Sequence, residues 1–233
     1  MEKAIGSIGH DLATTRTLYV GQDGHIITFP VSHGEIMNVV AFHHDEQDWG
    51  SDQLVLPTTR EEARRDFAKW GHNVKAIIEL LQDNLTKWGI FDLGDNPLSY
   101  YNKNRVCVAG DAAHGTGPHH GAGAGFCIED SAVLAELLQV AWINSKREKT
   151  KVPKVKVLES VLKVFDSARR ERTQWLVGSS RISADLYEWM DENCGKDPVK
   201  IKEEVLWRNH KIWNVSIEDM TRASNKELED MVL

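Results

Sequence analysis

Residues 110–125 read Gly110-Asp-Ala-Ala-His-Gly-Thr-Gly-Pro-His-His-Gly-Ala-Gly-Ala-Gly125, a stretch that holds six of the chain's 17 glycines and three of its ten histidines. Ordering so many glycines carries a high entropic cost, so a loop of this composition implies backbone that must approach something closely. Ahead of it, Arg105-Val-Cys-Val-Ala109 has the apolar character of a short strand. Behind it, residues from about Phe126 to Ile143 have the spacing of a long helix. The loop therefore feeds a helix N-terminus, where unpaired N–H groups and a partial positive charge suit an anion or an electron-rich carbonyl. Asp111, at the end of the strand, is placed to accept hydrogen bonds from hydroxyls in the adjoining crevice. The residues alone point to a polyhydroxylated, partly anionic small molecule lying across Asp111 and the Gly121–Phe126 turn. Two other glycine motifs are excluded. Gly125-Phe126-Cys127 lacks the Gly-Lys-Ser/Thr ending of a phosphate loop, and Gly121-Ala-Gly-Ala-Gly-Phe126 lacks the spacing of the dinucleotide fingerprint.

On the N-terminal side, the first 45 residues read as sheet. Thr17–Val20 and His25–Val31 flank Gly21-Gln-Asp-Gly24, a hairpin signal, and Glu35–Phe42 supplies a third run. An antiparallel meander is expected, with one face toward a core and one free for a ligand. Thr58 or Thr59 caps a helix running to about Trp70, a second helix covers Val74–Leu81, and Thr86–Leu93 is expected to be extended. On the C-terminal side, Lys146–Lys156 is a charged connector. Val157–Met190 is helical, with Val161, Phe165, Ala168, Trp175 and Leu186 directed inward, and the polar helical tail docks through Trp207 and Trp213. The fold class is α+β, divided into a substrate-domain-like sheet and helices over 1–95, the strand, loop and helix over 96–145, and a helical region over 146–233.

A net charge of −7 without a basic block gives no reason to expect a nucleic-acid partner. The longest apolar run, within Ser131–Ile143, is broken by Glu136 and Gln139, so no membrane association is expected. Cys107, Cys127 and Cys194 are too scattered for a disulfide framework or a metal cage, and no metal site is expected. The opening residues lack the apolar core of a leader, which gives a cytoplasmic location as the default. Arg169, Arg170 and Arg172 read as a solvated helix face, His114 as a residue bonded within the loop, and Cys107 as a small buried hydrophobe.

The run Arg105–His114, with Pro118-His-His-Gly-Ala-Gly-Ala-Gly125 and Glu129-Asp-Ser-Ala-Val-Leu134, resembles the second flavin-binding motif of group A FAD-dependent aromatic monooxygenases, the salicylate-hydroxylase-like kind. Gly24–Val31 and Glu35–Phe42 are similar to that family's substrate-domain strands, and Val164–Arg172 to its later arginine-bearing helix. The resemblance implies that Asp111 binds the ribityl hydroxyls of FAD and that Pro118 lies beside the isoalloxazine ring. It implies further that backbone at Gly123, Ala124, Gly125 and Phe126, with Gly110 and Gly121, faces the cofactor. Phe29, His119 and His120 are the implied contacts for an aromatic or polyketide-like substrate, and NAD(P)H is the implied co-substrate.

Family members also carry a Rossmann-type Gly-x-Gly-x-x-Gly and a ribose-binding acidic residue, which do not occur in these 233 residues. A truncated enzyme is therefore expected, with FAD bound weakly or not at all, and with a homodimer or a separately encoded N-terminal half as open partner alternatives. The competing expectation is a cofactor-independent cyclase or isomerase, or a non-catalytic binding protein, that reuses the pocket. There Asp111, His119 and His120 would be free to act as general acid or base.

Overall fold

The hairpin signal at Gly21–Gly24 forms a two-residue turn in the computed structural model, which describes residues 1–45, 47–146 and 150–233. Strands β1 (Thr17–Gly21), β2 (Gly24–Val31) and β3 (Ile36–His43) pair antiparallel in the order β1-β2-β3, with Gly21 opposite Gly24 and Ile26 opposite Ala41. Asp23 takes the left-handed conformation that lets the turn close, at φ 59°. Gly21 is required for a second reason: a Cβ there would lie 2.5 Å from the Trp70 ring. The α+β class holds, and among the described residues every strand pair is antiparallel.

The chain folds as two compact units, Met1–Ile90 with Ala184–Ile201, and Phe91–Ser183 with Lys202–Leu233. In the first unit, the expectation that residues 1–45 are all sheet is wrong for the opening segment. Glu2–Ile8 (α1) and His10–Thr14 (α2) are helical. Ala4, Ile8 and Ala13 recur at near-helical intervals and are buried with Ile77, so packing overrides the weak propensity of the Gly6 and Gly9 positions. Thr59 caps α3 (Arg60–Asp66) by accepting a bond from Glu62 N–H at 3.2 Å, and that helix stops four residues short of Trp70. Helix α4 (His72–Glu79) buries Val74, Ile77 and Ile78. Ile26, Phe67, Val74 and Ile78 form a core under the sheet, flanked by Trp70. The strand expected at Thr86–Leu93 is shifted to Asn84–Trp88 (β5) because it pairs with a strand the sequence did not signal, Val55–Thr59 (β4), whose Pro57 speaks against a strand.

In the second unit, the expected strand at 105–109 shrinks to Val106–Cys107 (β7), paired with Asn102–Lys103 (β6). Helix α5 (Asp111–His114) follows directly, then a 3-10 turn at Pro118–His120 and helix α6 (Gly123–Lys146). Helix α7 (Lys154–Tyr187) spans both units, as does α8 (Pro198–Trp213), and α9 (Ile217–Val232) closes the chain. The unit's core joins Val133, Leu137, Val161, Val164, Phe165 and Leu228. Val161, Phe165 and Leu186 are buried as read, and Ala168 and Trp175 are half-buried. Trp213 does not dock: it is 65% exposed, and Trp207 is half exposed beside Trp175. Part of the charged connector, residues 147–149, lies outside the described residues. Among the described residues, no helix is long and apolar enough to cross a membrane.

Candidate functional site

The glycine loop of the second unit is held from behind by charge. Gly110, at φ 60°, sits so close to α6 that a Cβ would come within 3.2 Å of Cys127 Sγ. Its N–H donates to Asp130 Oδ2 at 2.9 Å, and His114 Nε2 meets the same oxygen at 2.8 Å. Arg169 Nε donates to Asp130 Oδ1 at 2.7 Å. The rest of that guanidinium reaches Phe126 O at 3.3 Å, Glu129 at 2.7 Å and Met220 Sδ at 3.2 Å. Asp130 is 1% exposed and Arg169 0%. Burial alone would raise the Asp130 carboxyl, but the His114, Arg169 and Gly110 bonds outweigh it and hold the group below the usual aspartate range. Glu129 is likewise held low, its burial outweighed by a two-pronged bond from Arg172 at 2.8 and 2.9 Å together with Arg169.

This corrects the reading of Arg169, Arg170 and Arg172 as a solvated face. Arg169 is buried, Arg172 is locked to Glu129 and to the carbonyl of Ile212, and Arg170, paired with Asp166, is half-buried. His114 bonds across to α6, beyond its own loop.

In front of this support the surface is open. Asp111 is the first residue of α5, four positions beyond β7, so it begins a helix where the sequence suggested a strand end. Its side chain is exposed, and among the described residues its carboxylate makes no hydrogen bond or ion pair. Helix α6 begins at Gly123, three residues earlier than read, which puts Gly123, Ala124 and Gly125 in its first turn. The Phe126 N–H returns to Ala122 O at 3.1 Å, so the N–H groups of Gly123, Ala124 and Gly125 lie ahead of that bond, at the end of the helix that lacks internal acceptors. Ala124 and Gly125 are exposed, and a Cβ at Gly121 or Gly125 would meet nothing within 4 Å. Internal packing therefore does not account for those two glycines. Gly121 needs glycine for its backbone as well, at φ 62°. Phe126 is buried, with the Arg172 guanidinium 4.4 Å from its ring centroid.

The Pro118–His120 turn rests on a polar stripe of α7. Ser180 Oγ donates to Gly117 O at 2.6 Å, and His120 Nε2 lies 2.9 Å from Ser179 Oγ and 3.2 Å from Ser183 Oγ. Arg208, on α8, donates to Ser179 Oγ at 3.1 Å. Burial, reinforced by Arg208, pushes His120 below its ordinary value. Pro118 is exposed, and His119 is half-buried. Phe29 lies half-buried on β2 of the first unit. Among the described residues no group of three or more His, Cys, Asp and Glu side chains could hold a metal ion.

The second unit thus carries an exposed aspartate at one helix start, open glycines at the start of a second helix, and a buried ionic cluster that ties the two segments together. Comparison with known proteins gives the family. The family model described as "FAD binding domain" matches residues 19–149, and the chain belongs to that family. The FAD-dependent monooxygenase pigN of Monascus ruber is 44% identical, over 97% of this chain and 52% of that protein. The FAD-dependent monooxygenase orf3 of Aspergillus niger is 40% identical, over 100% of this chain and 53% of that protein. A solved salicylate hydroxylase substrate complex superposes with a TM-score of 0.83 at 32% identity, covering 96% of this chain and 53% of that one. The chain spans about half the length of the relatives it matches, and its fold is that part of a flavoprotein hydroxylase.

Proposed function

We propose that this chain forms the ribityl- and ring-facing part of an FAD-dependent monooxygenase acting on an aromatic or polyketide-like small molecule, with NAD(P)H as reductant. The observation that carries the proposal is the exposed Asp111 carboxylate, close enough to α6 to add to burial in pushing the Cys127 thiol up, next to a helix start whose Ala124 and Gly125 are exposed. Asp111 accepts hydrogen bonds from ribityl hydroxyls. The N–H groups of Gly123, Ala124 and Gly125 donate to the polar edge of the ring. Pro118 packs beside it, and His119 and His120 line the substrate side. When bound, FAD supplies the redox and oxygen chemistry; the residues here bind it, orient it and exclude water.

Visible spectra of the purified chain, followed by titration with FAD, FMN and riboflavin, test the proposal. These 233 residues supply the ribityl and ring contacts but not a pyrophosphate-binding glycine fingerprint. FAD is therefore expected to bind weakly to the chain on its own, with FMN and riboflavin bound at similar strength. Stoichiometric FAD in the purified protein would remove the weak-binding expectation. A chain that binds no flavin yet converts an aromatic substrate without NAD(P)H would replace the monooxygenase reading with the cofactor-independent one.

A further inference from the structure

Asp130 lies 19 positions beyond Asp111 in sequence and cannot itself reach a ligand, being 1% exposed. It nonetheless gathers the Gly110 N–H, His114 Nε2 and Arg169 Nε onto one carboxylate, at 2.9, 2.8 and 2.7 Å. Gly110 precedes Asp111, and His114 ends the four-residue helix that Asp111 begins. The two ends of the Asp111 segment are therefore pinned to the same carboxylate oxygen. A helix of one turn has no stability of its own, so its orientation comes from such outside contacts.

Buried ion pairs add little net stability over well-packed apolar side chains, because both charges must leave water. A stability role therefore explains the Asp130–Arg169 pair poorly. What the pair does achieve is a fixed position for the segment that carries the exposed Asp111 side chain, which among the described residues makes no hydrogen bond or ion pair.

We propose that Asp130, held by Arg169, is a positioning residue that sets the Asp111 carboxylate for a ligand's polyhydroxyl chain. The inference rests on the flavin reading above and deepens it by naming what fixes the ribityl contact. Asp130 touches no flavin atom; it acts through Gly110 and His114. Removing its charge frees the Gly110 turn, and the loss falls on ligands that carry hydroxyls.

The test compares riboflavin with lumiflavin, which has a methyl group in place of the ribityl chain, by fluorescence titration of the purified chain. Wild type, Asp111→Ala, Asp130→Asn and Asp130→Glu are measured together. Asp130→Asn is expected to weaken riboflavin by about tenfold, the scale of one hydrogen bond to a charged group. Asp111→Ala should give a similar loss, with lumiflavin affinity unchanged in both. Asp130→Glu keeps the charge beside Arg169 but displaces the oxygen from Gly110 N–H, and it decides the matter if Asp130→Asn does not fold. Riboflavin weakened and lumiflavin spared is again the expected result. Equal loss of both ligands, which a merely structural role would produce, overturns the proposal. So does unchanged riboflavin affinity in the Asp130 variants while Asp111→Ala loses it, and that result leaves the flavin reading standing. A wild type that binds neither ligand, or an Asp111→Ala variant that still prefers riboflavin, overturns both.

Discussion

The β1–β3 sheet and the Gly110–Phe126 segment are both built to hold a surface in place, and they do it by opposite means. In the sheet, Ile26 is fully buried on β2 over Phe67, Val74 and Ile78, and the turn at Gly21–Gly24 fixes the register. Apolar burial positions and stabilises at once, because the same contacts do both. In the loop segment, six glycines leave few side chains to bury, and position comes from Asp130, Arg169, His114 and Glu129 in a buried ionic cluster. That cluster positions without stabilising much. The two kinds of support should respond differently when one partner, or both, is removed.

The largest effect is expected where buried polar groups lose their shared partner. Asp130→Leu leaves the Gly110 N–H and His114 Nε2 without their acceptor and Arg169 with Glu129 as its remaining carboxylate, and should cost about 3–5 kcal/mol, read as a lower urea midpoint. The double variant Asp130→Leu, Arg169→Met removes both charges and should recover most of that loss while flavin discrimination stays lost. A double variant as unstable as the single one would mean that the cluster is a source of stability after all, and the contrast with the sheet would fail.

Truncation in the sheet should allow no such recovery. Ile26→Ala removes a fully buried side chain and should cost about 2–4 kcal/mol, with the cavity left by partial relaxation adding to the lost transfer energy. An effect below about 1 kcal/mol would show that the sheet's register rests on its turn and backbone ladder more than on this core.

The sheet was legible in the sequence, and the ionic cluster was not, for related reasons. Strand alternation and the Gly-Gln-Asp-Gly turn are local signals, and they placed β1, β2 and β3 to within a residue or two. The glycine loop was equally visible, although Asp111 begins a helix where a strand end was read and α6 starts three residues before the expected Phe126. Asp130 and Arg169 are 39 residues apart, and no local period marks them as a pair. Charged residues are rarely fully buried, so an arginine-rich helical run reads as solvated. The short opening helices failed for a third reason: Ala4, Ile8 and Ala13 gain helix from Ile77 on α4, a contact no window around them contains. Strand β4 was missed because Pro57 argues against a strand in any local reading.

The smallest effect concerns His120, where the two kinds of support meet in one side chain. The ring is largely buried like a core residue, yet it bonds Ser179 and Ser183 and lies near Arg208. Burial, with Arg208, depresses its folded value below the ordinary histidine value of about 6.5. A depressed value means that the unfolded chain takes up the proton first as pH falls. Stability linked to His120 is therefore fully present above about pH 6.5 and is lost as pH falls from there toward the folded value. One proton contributes at most about 1.4 kcal/mol per pH unit across that window. His120→Gln can keep a hydrogen bond to the serine pair but cannot titrate. Unfolding free energies measured between pH 5 and 7.5 should fall less steeply in the variant than in wild type. Parallel curves would mean that His120 keeps its ordinary affinity for protons in the folded chain, and a wild type that gained on the variant under acid would mean that the protonated ring is the one the α7 serines favour.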